Sequence, residues 1–100
     1  MFKLKRERKK TMKIVINDRF GGFSINSEIA KKYCNGEIYE INRIDATLIK
    51  LIESGINCNG SCAELKVVEI PENATDWRII ECDGAEYIIY VVDGKMHSID

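Results

Sequence analysis

Three sets of side chains in this sequence are of kinds that do chemistry. Glu81 and Glu86 flank Asp83-Gly84, and a two-residue turn there places the two carboxylates directly opposite each other. Facing carboxylates hold a cation or force one pKa upward, as an acid catalyst requires; at a hairpin end they more often splay into water. Cys58-x-x-x-Cys62, with Cys34, Cys82 and His97, offers soft donors for zinc, but the other three are scattered and no second close pair exists. A cysteine nucleophile needs a histidine to generate its thiolate, and His97, near the chain end, is the only one. No metal, cofactor or catalytic residue is therefore assigned, and the chain is expected not to be an enzyme. The third set is Arg19, Arg43 and Arg78 with Trp77 and the tyrosines: an aromatic ring stacks on a base while arginine grips phosphate. Gly21-Gly22, just before a helix, adds backbone N–H groups that suit an anion, without the spacing of a Walker or dinucleotide loop. The expected ligand set is Arg19, Gly21, Gly22, Arg43, Trp77, Arg78, Tyr87 and Tyr90. Each member also has a plainer role: glycines that only turn the chain, with Phe20 and Phe23 in the core; aromatics packed at strand spacing; Arg43 paired with Asp45.

The elements that must position these residues are legible in the spacing of apolar positions. Lys13 to Asn17 alternates as a strand does. Asn26 is an N-cap for a helix carrying Ile29, Ala30 and Tyr33, with Ile25 and Ala30 at staple positions and Asn35-Gly36 as its stop. Glu37 to Ile41 alternates again and reads as a short strand. Asp45 caps the clearest helix, whose stripe is Leu48, Ile49, Leu51 and Ile52 and whose end is Ser54-Gly55. After a polar loop, Leu65 to Ile70 forms a strand ended by Pro71. Trp77 to Cys82, Ala85 to Val92 and Lys95 to Ile99, joined by Asp83-Gly84 and Asp93-Gly94, make a C-terminal β-meander. The fold class is α+β: a mostly antiparallel sheet of about 4–6 strands with two α-helices.

The 100 residues, 45% of them apolar, suit one domain with a modest core. Residues 1–11 hold six cations against Glu7, a charge of +5 in a chain whose net charge is −1, so residues 12–100 carry −6. We read 1–11 as a basic flexible tail and 12–100 as the domain. Such a tail can tether nucleic acid by releasing counterions. Lys, Arg and Glu have purine-rich codons, so the tail is also what a ribosome-binding site would look like if translated in frame, which makes Met12 an alternative start. An acidic domain repels nucleic acid, so that partner is not expected. No apolar run reaches the roughly 18 residues of a membrane span, no secretory signal opens the chain, and the cysteines read as reduced thiols; the expected location is the cytoplasm.

The hairpin register has a further implication. It puts Trp77, Ile79, Ile88 and Tyr90 on one face and Ile80, Cys82, Tyr87, Ile89 and Val91 on the other, so neither face is polar. Either the two helices divide between the faces or another subunit covers one of them, a homodimer being the simplest closed arrangement.

In order along the chain stand Lys13-Ile-Val-Ile-Asn17, Gly21-Gly-Phe-Ser24, Arg43-x-Asp45-x-x-Leu48-Ile49, Glu53-x-Gly55, Ala63-x-Leu65-Lys-Val-Val-Glu-Ile-Pro71, Asp76-Trp77 and Asp83-Gly-x-Glu86. This succession, over about residues 12–90, resembles a family of short uncharacterised proteins of tailed phages and prophages. The resemblance implies Met12 as the usual start and brings no catalytic residue with it. The family continues into a His/Arg/Trp-containing tail, whereas this chain runs Tyr87 to Val92 and ends Met96-His-Ser-Ile-Asp100. A phage setting implies a small accessory protein that acts by binding. The expectation is an oligomeric inhibitor of host defence that sequesters a nucleotide immune signal, with a protein–protein adaptor or inhibitor as the alternative and a nucleic-acid-binding regulator using the tail as a third reading.

Overall fold

A computed structural model describes residues 10–100. The strands and helices are β1 (Thr11–Asn17), α1 (Ser27–Tyr33), α2 (Ala46–Glu53), β2 (Leu65–Pro71), β3 (Asp76–Cys82), β4 (Ala85–Val92) and β5 (Lys95–Ile99). They form two antiparallel sheets, β1-β2 and β3-β4-β5, so the fold is α+β with a C-terminal meander. Most of residues 1–11, the basic tail, lie outside the described residues. Its last two belong to the domain instead: Thr11 pairs with Pro71, and the Lys10 carbonyl accepts from the Glu72 amide at 3.0 Å.

The β1-β2 ladder is the middle of three layers. Strand alternation sends Ile14, Ile16, Val68 and Ile70 to one side, where they pack with Ile88 and, less deeply, Trp77, Ile79 and Tyr90. Val15 and Leu65 go to the other side, against Phe23, Ile25, Ala30, Leu48 and Ile49 from the helices and their flanks. Hence Ile14 to Asn17 is buried throughout, where a strand with one wet face would be buried only at every second residue. Both helices lie on the β1-β2 sheet, so they do not divide between the faces of the meander.

Local signals set the helix ends. Asn26 Oδ1 accepts from the Glu28 amide at 2.8 Å, and Asp45 Oδ1 from the Leu48 amide at 2.8 Å. Asn35, at φ 53°, and Gly36 stop α1. The meander register pairs Trp77 with Tyr90, Ile79 with Ile88, Glu81 with Glu86 and Cys82 with Ala85, as the two-residue turn dictates.

The expected strand at Glu37–Ile41 does not form. Ile38 and Ile41 pack on the helix-side core, and the Ile38 carbonyl accepts from the Ile25 amide at 2.9 Å. The edge of β1, however, is met farther on: the Val15 amide donates to the Arg43 carbonyl at 2.8 Å. With no ladder beside it, the segment stays irregular and Tyr39 is exposed. Phe20, expected in the core, is exposed too, whereas Phe23 is buried. Among the described residues no helix is long and apolar enough to cross a membrane.

Candidate functional site

Among the described residues, a dense polar centre is built where β1 ends, the chain enters α2, and the β3-β4 turn folds back. Arg43 Nη1 and Nη2 donate to Glu86 Oε1 and Oε2 at 2.7 and 2.9 Å, a bidentate ion pair, and Nη1 also reaches the Val15 carbonyl at 3.3 Å. The guanidinium carbon stands over the Phe23 ring, 3.5 Å from its centre. Glu86 Oε1 accepts a further bond, from the Asn17 amide at 2.8 Å. Asn17, fully buried, donates from Nδ2 to the carbonyls of Arg19 (2.6 Å) and Gly84 (2.8 Å) and accepts at Oδ1 from the Glu64 amide (2.8 Å).

This centre corrects several sequence expectations. Glu86 does not splay into water beside Glu81; it is buried and paired across the molecule, while Glu81 is exposed. Arg43 pairs with Glu86, not Asp45, and its guanidinium is not free to hold a phosphate. Gly21 and Gly22 do not form an open anion seat. The Gly21 amide donates to the Asp83 carbonyl at 3.1 Å, and a Cβ on Gly84 would come within 2.2 Å of the Gly22 nitrogen. The paired glycines are the seat of the β3-β4 turn, and the residue that must lack a Cβ for that contact is Gly84; a Cβ on Gly21 would instead meet Cys62, and one on Gly22 would meet nothing within 4 Å. No buried side-chain N or O is left without a partner among the described residues, and the Arg43 charge is matched by Glu86, so the polar groups of this centre serve the protein's own fold. Its chemistry is that of a fastener. Asn17 and Phe23 were not in the expected ligand set; the short polar residue ending an apolar strand was the available signal for Asn17.

The remaining members of that set are dispersed. Tyr90 stacks on His97, with centroids 5.2 Å apart, and Trp77 packs against the Ile14 side of the core. Arg19 is exposed beside the β3-β4 turn, and Arg78 is six residues up β3 from Gly84, about 20 Å along an extended strand. Trp77, Arg78 and Tyr90 border one hollow of about 200 Å³ together with Met96. Cavities that enclose drug-sized ligands run from about 300 to 1,000 Å³.

The cysteines separate by exposure. Burial, with smaller help from Asp45, pushes the Cys34 thiol above its ordinary value. Burial, with the Cys34 thiol adding to it, does the same to Cys58. Both are kept protonated, which suits neither a nucleophile nor a thiolate ligand. Cys62 and Cys82 are exposed.

The outer face of the β3-β4-β5 sheet is different in kind. Ile80, Tyr87, Ile89, Val91 and Met96 alternate onto it, none belongs to either core cluster, and Met96 is 71% exposed. Among the described residues no helix packs on it. In comparisons with protein-family models, curated proteins and solved structures, nothing matches the chain.

Proposed function

We propose that this protein works by binding another protein through the outer face of the β3-β4-β5 sheet, without catalysis, as a small accessory protein of the phage setting that the motif order implies. The observation that carries the reading is the uncovered apolar row Ile80, Tyr87, Ile89, Val91 and Met96. Of the arginines and carboxylates that could have served a small ligand or a reaction, Arg43 and Glu86 are in use elsewhere, holding each other. Aromatic and methionine side chains are the types enriched in protein interfaces, and this face carries both.

The test is a photo-crosslinking residue placed in turn at Tyr87 and at the exposed Tyr39, in cells of the natural host. The expected result is one protein attached at Tyr87 and absent at Tyr39, whose binding to the purified chain is lost on Ile89→Asp. Equal labelling at both positions would sink the reading.

A second reading, sequestration of a nucleotide, has one observation in its favour: Arg78 stands at the rim of the hollow near Trp77 and Tyr90. The hollow is too small to enclose a nucleotide, and Asp76 on its rim opposes a phosphate. Native mass spectrometry of the protein from its host decides: a retained nucleotide-sized mass, lost in Arg78→Ala, would move the conclusion to this reading.

A further inference from the structure

Resting on the protein-binding reading above, we infer that a second copy of this chain covers the outer face of β3-β4-β5, in a weak two-fold dimer registered by Asp76 and Arg78. The register of the meander lays that face out as rows. Asp76, Val91 and Met96 form the first, Arg78, Ile89 and Ser98 the second, and Ile80 with Tyr87 the third. A two-fold axis lying between two such faces and crossing the strands between the first and second rows brings each residue of one row onto the other. Asp76 then meets Arg78 of the second copy, and by the same operation Arg78 meets Asp76 of the second copy. Ile89 likewise meets Val91 twice, giving the self-complementary contact of an isologous dimer. An axis along the strands would instead set Asp76 against Met96 and Arg78 against Ser98, leaving both charges unmatched.

Within one chain Asp76 and Arg78 are barely joined: Arg78 Nη2 stands 3.9 Å from Asp76 Oδ2, and each side chain is 66% exposed. Both are free to turn outward at little cost. The Ile89–Val91 contact, made twice, supplies the attraction, with Met96 over Ser98 and the Ile80–Tyr87 row lying beyond the exchanged rows, and the charges select one register by penalising the others.

The dimensions of the face bound the strength. Three strands at about 4.8 Å spacing and about 25 Å length give at most about 350 Å² per copy, at most about 700 Å² for the pair. Stable complexes bury about 1,200–2,000 Å². The dimer is therefore a transient one and releases its face to a better-fitting partner.

Sedimentation velocity of the full chain from about 5 to about 500 μM, a range that reaches the weak association of a small interface, tests the inference. The expected result is a concentration-dependent shift from 11.4 kDa toward twice that mass. Arg78→Asp alone and Asp76→Arg alone each weaken association at least tenfold, since each sets like charges together twice. Mixing the two variants restores it, because each then offers what the other lacks. The exposure of both side chains keeps folding intact, which circular dichroism verifies. Wild type that stays monomeric at the highest concentration, or a dimer indifferent to the charge reversals, overturns the inference. Neither result touches the protein-binding reading, which stands or falls on the attachment at Tyr87.

Discussion

Arg43 and Glu86 meet through two parallel hydrogen bonds of 2.7 and 2.9 Å, joining the entry of α2 to the second residue of β4, 43 positions later. Glu86 is only 5% exposed in its side chain and takes a third bond from the Asn17 amide, so without Arg43 its carboxylate has little water to fall back on. Breaking a buried pair by removing one side strands the other, which costs about 3–5 kcal/mol. For a 100-residue domain with a stability of about 5–15 kcal/mol, that is a large share. Arg43→Ala and Glu86→Ala are each expected to lower the urea midpoint steeply. The double variant should lose less than the sum of the two, by about 1–3 kcal/mol of coupling in a double-mutant cycle. Additive losses would mean that the pair is not energetically joined.

Glycine at position 84 faces a steric requirement that glycine 94 does not. A Cβ on Gly84 would approach Gly22 backbone nitrogen to 2.2 Å at φ 90°, whereas one on Gly94, at φ 75°, meets nothing within 4 Å. Gly94→Ala is expected to cost about 1 kcal/mol, the strain of a left-handed alanine. Gly84→Ala carries the same strain plus displacement of the turn from its seat, about 3 kcal/mol or more in total. Thermal unfolding of the two variants side by side measures the difference, and equal losses would refute the docking of the turn.

Asn17 is saturated by the carbonyls of Arg19 and Gly84 and by the Glu64 amide. Asn17→Leu is close to it in size but leaves three backbone groups without partners. The expected loss is about 3 kcal/mol, read by chemical denaturation, with faster amide exchange at Glu64 as its local signature. An unchanged exchange rate at Glu64 would contradict the assignment.

Burial raises the thiol pKa of Cys34 and of Cys58 in the folded chain. A raised folded pKa means that the protonated form is favoured on folding. That contribution is complete below the ordinary value of 9.0 and is lost as the pH rises from there through the folded values. Stability should therefore fall above about pH 9, less so in a Cys34→Ala/Cys58→Ala variant. At pH 8 an alkylating reagent should modify Cys62 and Cys82 first, as peptide mass mapping would reveal; early labelling of Cys58 would contradict its burial.

What could be read from the sequence was what short stretches of chain decide by themselves. The caps at Asn26 and Asp45 act within three residues, and Asp83-Gly84 fixes a register by turn geometry alone, so the helix starts and the hairpin pairs were legible. The reading of Glu86 as solvated followed from its nearest neighbour Glu81; its true partner is set by how three separate segments converge. Gly21-Gly22 looked permissive for a phosphate because sequence does not reveal that a turn more than 60 residues away lies on it. The alternation of Glu37 to Ile41 was real, but a strand also needs a neighbour with free backbone groups, and β1 gives its edge to Arg43. The outer sheet face was legible as a second apolar surface because alternation and register together assign every side chain.

The middle layer of the protein pairs β1, the first strand, with β2, more than 50 residues later in the chain. During synthesis Ile14, Val15 and Ile16 leave the ribosome long before Val67 and Val68 exist to receive them. Contacts so distant in sequence form slowly, and an unpaired apolar strand is a site of misassembly while it waits. The meander, by contrast, closes through two tight turns and needs no help from the rest of the chain to find its register. The end made last thus supplies the part that can organise soonest, and the strand made first stays a guest until its late partner arrives.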